Sequence, residues 1–235
     1  MIYKKSGTWK WKDWKISWSL TKKSSCTNDI NILFVHGFGA SKNHWRHNTP
    51  HLSNSFNCYA IDLLGFGESS QPCALLSYET YKENSIKYSF DLWANQISTF
   101  CSEIIGSPVY LVGNSIGGVI TLKAAEILKD HCKGVILIDC AQRTMDDKRL
   151  KRGDILMNLL RPVLKTLVRQ RIISNTLFKR AANPKIIKKI LEQAYPSGNN
   201  VDEELIEILY KPSMRKNSKE AFRGFINLFD DYLAT

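Results

Sequence analysis

Pro108-Val109-Tyr110-Leu111-Val112-Gly113-Asn114-Ser115-Ile116-Gly117-Gly118-Val119 is the stretch on which the fold turns. Residues 108–112 are a short unbroken apolar run, the pattern of a strand buried on both faces. A helical pattern begins at Ile116 and runs to about Lys129. Between them lies G-x-S-x-G. A serine on so sharp a strand-to-helix turn is held above the strand ends with its oxygen exposed, and the flanking glycines let neighbouring backbone pass close. The helix starting there also brings N–H groups and its positive dipole end to a reacting carbonyl. The motif alone is a weak sign. Its strand–turn–helix setting gives it weight.

Working outward, residues 30–35 (INILFV) read as another fully buried strand, ending in HGFGAS and a polar, helical-looking segment to about His51. A short strand at 58–62 runs into LLGFGESS. Apolar spacing at Phe90, Trp93, Ile97, Phe100 and Ile104 predicts a helix over 84–105, and GVILID (134–139) reads as the last strand. Residues 8–20 alternate Trp with Lys or Ser about Lys12-Asp13, which reads as a half-buried hairpin, with a lipid-facing Trp/Lys surface as the alternative. Strands alternating with helices imply an α/β fold with a mostly parallel sheet covered on both faces. Beyond Cys140 only helical stretches appear, at 154–168 (broken or kinked at Pro162), 184–194, 202–210 and 219–233. The expected division is therefore a core over residues 1–140 and a helical cap segment over 141–235.

Composition narrows the class. The 235 residues are 43% apolar, too rich for disorder, and no run of about 18 apolar residues offers a transmembrane helix. Six scattered cysteines with no C-x-x-C pair, and no secretory-type leader, lead us to expect reduced, mostly buried thiols in a cytoplasmic protein. The net charge of +11 is uneven: 14 basic and 11 acidic residues up to Cys140, then 19 and 11 after it. A solvated basic face is the reading adopted, with no nucleic-acid partner. The apolar-and-basic helical stretch 154–182 reads first as a helix laying its apolar face over the serine, with peripheral contact with an anionic membrane retained as a compatible alternative. Gly37-Phe38-Gly39 lacks the third glycine of a dinucleotide fingerprint, and Gly113–Gly118 lacks the Lys-Ser/Thr of a P-loop.

VHGFGAS, AIDLLGFGESSQP and VGNSIGGV, each placed after a strand and in this order, resemble the α/β-hydrolase superfamily over residues 8–140. Within it the chain is similar to the cyanobacterial and plastid branch of pheophytinase-like esterases. The resemblance implies a helical cap where the second segment lies, Ser115 as nucleophile, and an oxyanion hole from the N–H groups of Phe38 and Ile116. It implies cleavage of a carboxylic ester of an apolar small molecule through an acyl-enzyme, with no metal or organic cofactor. His36 reads as an orienting histidine. Glu68 and Ser69 are expected to fix their loop.

The same resemblance calls for a histidine after the last strand, with an acid before it. The five histidines are His36, His44, His47, His51 and His131, and none lies later. His131 falls at the far end of the helix after Ser115, too distant to reach it. Asp139 is either the acid or a residue capping its turn. The family's last two strands are not found, so the 134–139 strand is expected to be an exposed sheet edge able to pair with a second copy. The alternative to an ester hydrolase is thus an impaired scaffold that binds, or is completed by another chain.

Overall fold

Tryptophan alternation builds the start of the sheet. In a computed structural model describing residues 2–24, 29–76, 79–141, 170–195, 197–198 and 200–228, β1 (Ile2–Trp11) and β2 (Trp14–Lys23) form an antiparallel hairpin turning at Lys12-Asp13. Trp9, Trp11 and Trp18 are buried, and Trp9 and Trp18 meet Phe100 edge-on. The indoles therefore face the core, which rules out the lipid-facing alternative for this hairpin.

The remaining strands are β3 (Asn31–Val35), β4 (Asn57–Ile61), a two-residue parallel pair β5 (Cys73–Ala74) and β6 (Ser85–Ile86), β7 (Val109–Asn114) and β8 (Cys132–Ile138). The main sheet runs β1-β2-β4-β3-β7-β8; the hairpin joins β4 antiparallel, and the other three junctions are parallel. β3 is buried at every residue, Asn31 through hydrogen bonds to Ser107 and the Pro108 carbonyl, whereas β7, expected to be buried on both faces, leaves Tyr110 exposed. Chain order reverses between β3 and β7, and the carboxyl ends of strands at such a switch point form the crevice of an open α/β sheet. HGFG and the serine turn lie at those two ends.

The helices of this half are α1 (Asn48–Leu52), α2 (Phe90–Phe100) and α3 (Ile116–Leu128). The helix expected over 84–105 begins later because β6 takes residues 85–86 and Ser89 caps α2 by accepting the N–H of Leu92 at 3.0 Å. It continues as a π-turn over Cys101–Ile105 and stops at Gly106 in the left-handed region. Among the described residues β8 is an edge strand, with Ile136, Leu137 and Ile138 exposed. Of the five described cysteines, Cys58 and Cys101 are buried while Cys73, Cys132 and Cys140 are only partly covered, so burial of the thiols is less general than expected.

The second segment is helical: α4 (Arg171–Ala181), α5 (Pro184–Ala194), α6 (Glu203–Ser213) and α7 (Ser218–Asn227). The stretch expected at 154–168, and most of the amphipathic stretch 154–182, lie outside the described residues. Charged ties fasten these helices to the core. Glu220, buried, accepts the N–H of Ala74 at 3.0 Å and the guanidinium of Arg171 at 2.8 Å. Arg223, buried, forks onto Glu79 with two contacts of 2.9 Å, which holds the Glu79 carboxyl below its ordinary range.

Candidate active site

Ser115 has φ 54° and ψ −122°, a conformation that side chains rarely adopt. Three contacts over-determine it. Its N–H donates to the carbonyl of Ile138 at 3.0 Å, and its own carbonyl accepts from Gly118 and Ala141, each at 3.0 Å. The glycines are there for close approach. A Cβ on Gly113 would stand 2.4 Å from the carbonyl oxygen of Gly117, and one on Gly117 would stand 2.5 Å from that of Val35. The turn after β7 is thus packed directly on the end of β3. Gly37 completes the approach, since a Cβ there would lie 3.1 Å from that of Ser115.

Two backbone donors flank this point. Ile116 opens α3, where N–H groups have no partner within the helix. Phe38 follows Gly37 in the turn after β3. Among the described residues no acceptor takes either N–H. The Phe38 ring stacks on Phe225 of α7 at 4.3 Å and meets Phe66 edge-on at 5.5 Å, with Phe222 at 6.0 Å. α7 thereby lays an aromatic surface on the HGFG turn.

His36 is fully committed to structure. Leu63 donates its N–H to Nε2 at 3.1 Å, so the ring proton sits on Nδ1, which donates to the carbonyl of Gly37 at 2.7 Å. Burial lowers its pKa, against the pull of Asp62. The ring ties together the ends of β3 and β4. Beside it lies a charge group, buried at Asp62 and Lys42 and exposed at Glu68: Asp62 accepts the Lys42 N–H at 2.6 Å and the Glu68 N–H at 2.8 Å, and the Lys42 ammonium pairs with both carboxylates. That ammonium holds Glu68 below its ordinary range. Ser69 accepts from Ser17 at 3.0 Å and donates to the Asp62 carbonyl at 2.8 Å. Glu68 and Ser69 do hold their loop.

A cavity of about 310 Å³ opens beside the serine turn, lined among others by His44, Trp45, Asn114, Asp139 and Tyr195. Asp139 is exposed there with φ 45°. His44 is the residue that sequence reasoning passed over. Burial, reinforced by His36 and Arg46, lowers its pKa to about 4; its Nε2 lies 3.4 Å from the Tyr195 hydroxyl, and its Nδ1 has no partner among the described residues. The signal available was its place in the segment that follows HGFG. None of the five histidines hydrogen-bonds Ser115, and His131 is exposed beyond the end of α3. For metal binding, among the described residues only His47, Asp202 and Glu204 gather three ligand atoms within 4.8 Å. All three are exposed, and Arg46 already pairs with both carboxylates.

The profile of the alpha/beta hydrolase fold family matches residues 30–166. The chain belongs to that family. This α/β hydrolase is 30% identical over 139 residues to "Pheophytinase, chloroplastic" of Arabidopsis thaliana, a match covering 50% of the chain and 29% of that protein. It is 29% identical over 123 residues to a (lyso)-N-acylphosphatidylethanolamine lipase of Bos taurus, covering 52% of the chain and 33% of that protein. The matches thus span about a third or less of those relatives. Among solved structures, Cfl2 of Burkholderia cenocepacia superposes with TM-score 0.74 at 15% identity, covering 97% of the chain and 72% of Cfl2. The epoxide hydrolase CorEH gives 0.73 at 14%, covering 97% and 75%. At such identities these two speak for the α/β-hydrolase fold. No helix among the described residues is long and apolar enough to cross a membrane.

Proposed function

We propose that this α/β hydrolase is a serine esterase acting on a carboxylic ester of an apolar small molecule. Ser115 Oγ attacks the ester carbonyl, the N–H groups of Phe38 and Ile116 take the developing oxyanion, the alcohol leaves, and water then releases the acid from the acyl-enzyme. The observation that carries this reading is the strained Ser115 backbone, held on the end of β3 beside two N–H groups without acceptors among the described residues. The Phe38–Phe225 stack and its aromatic neighbours support an apolar substrate. Family membership supports a hydrolase; the ester class rests on serine at the nucleophile position.

A second reading has its own observation. A serine nucleophile needs a base, and no histidine hydrogen-bonds Ser115, while His36 is bound at both ring nitrogens. On that reading the chain is a hydrolase scaffold with impaired turnover. A fluorophosphonate probe separates the two. Labelling that Ser115→Ala abolishes, together with turnover of p-nitrophenyl esters, supports the esterase. No labelling of folded protein supports the scaffold.

A further inference from the structure

The outer surface of the cap carries an apolar stripe that the fold leaves half-used. In α5, Ile186, Ile187, Ile190 and Leu191 fall on one side of the helix, at spacings of one and four residues. Leu191 is buried, yet Ile186 is 42% and Ile190 54% exposed. Two residues separate α5 from the end of α4, which exposes Ile172 at 80% together with Leu177. Basic side chains interleave with this apolar surface. Residues 171–194 hold six basic residues against one acidic. Arg171 is tied to Glu220, but Lys179, Arg180, Lys185, Lys188 and Lys189 are all exposed and make no ion pair among the described residues.

We propose that the exposed faces of α4 and α5 dock on an anionic lipid bilayer. A helix lies in a bilayer interface when an apolar stripe is flanked by Lys and Arg, because burial of the stripe and attraction to acidic headgroups act together. Both components are present on α5. The charge favours a lipid surface over a second copy of the chain, since two such basic faces repel. The sites are also well placed: α4 donates Arg171 to the same Glu220 that fixes α7, and α7 carries the phenylalanine stacked on Phe38. A cap resting on a bilayer would hold the serine crevice close to apolar esters dissolved there.

The test is co-sedimentation of the full chain with vesicles of phosphatidylcholine alone, and of phosphatidylcholine with phosphatidylserine. Sedimentation with the anionic vesicles only, weakened by salt, is expected. Lys185→Glu, Lys188→Glu and Lys189→Glu should each weaken it, by about fivefold or more per residue. Ile186→Ser/Ile190→Ser should weaken it at unchanged thermal stability, these side chains being exposed. As controls, Ser115→Ala, and Lys22→Gln/Lys23→Gln on the remote hairpin, should sediment like the parent; docking is thereby separated from catalysis. Equal binding to neutral vesicles, no binding by folded protein, or loss through the hairpin variant but not the cap variants would each overturn the proposal. So would a concentration-dependent dimer that Ile186→Ser/Ile190→Ser dissolves, since the occupant would then be a second copy.

Discussion

The carbonyl of Ile138, the last residue of β8, accepts the N–H of Ser115 at 3.0 Å. One strand end thus holds the strained residue of its neighbour. Strain of this kind costs about 1–3 kcal/mol and persists only where the surroundings impose it. Ser115→Gly should therefore raise thermal stability, while Ser115→Ala, which keeps a Cβ at φ 54°, should leave it nearly unchanged. Both should lose fluorophosphonate labelling. Melting curves of the two variants check the difference; an equal shift in both would remove strain as the cause.

Close packing at the turn makes a graded series. Gly113→Ala and Gly117→Ala would set a methyl 2.4–2.5 Å from backbone oxygens that cannot move aside. Gly37→Ala meets its nearest neighbour at 3.0 Å, the side-chain oxygen of Asn114. The first two should destabilise the chain strongly and abolish labelling of Ser115. The third should retain the fold with reduced labelling. Denaturant melts beside probe labelling give the order directly.

Lys42 and Asp62 are a buried pair, 5% and 0% exposed. Removing one member of such a pair leaves an uncompensated charge and costs about 3–5 kcal/mol. Lys42→Met is expected to lose stability on that scale, and adding Asp62→Asn should restore part of it. A double-mutant cycle by urea denaturation measures the coupling. Additive losses would show that the pair does not act as one.

His44 makes stability depend on acidity in a defined window. Burial lowers its pKa from 6.5 to about 4, so between those values the unfolded chain binds a proton that the folded chain refuses. Its effect is absent above pH 6.5, and stability then falls progressively down to about pH 4. Burial of His36 acts in the same direction. His44→Gln cannot protonate and should flatten the melting temperature against pH across that window. An unchanged slope would assign the whole effect to other groups.

How much of this was readable in advance follows from the range of the interactions. The strands and the serine turn show as local patterns: NILFV is buried throughout, VYLV is buried except at Tyr110, and G-x-S-x-G is written in five consecutive residues although Val35 and Ile138 hold the turn in place. The caps and turns around Ser89 and Gly106 are local too, but the apolar period of α2 hides them. What could not be read are partnerships across the chain. Arg46 finds Asp202 over 156 residues, and Arg215 finds the carbonyl of Gly67 over 148. No spacing rule connects such residues, so the cavity at His44, lined also by Tyr195 and Leu205, has no linear signature. The same holds for the Trp face of the hairpin, decided by Phe100 from a distant helix.

Tryptophan placement has an optical consequence. All six indoles precede residue 94, and none lies in the second helical segment. Five of them sit in the hairpin and α2; Trp45 alone lines the cavity shared with Tyr195 and Leu205. Among the tryptophans, one fluorophore thus lines the cavity that the second helical segment shares. Replacing the other five with phenylalanine is drastic, but subtracting the signal of a Trp45→Phe protein from that of the parent is simple. The difference spectrum would report the seating of the second helical segment at that cavity, in real time and without an added label.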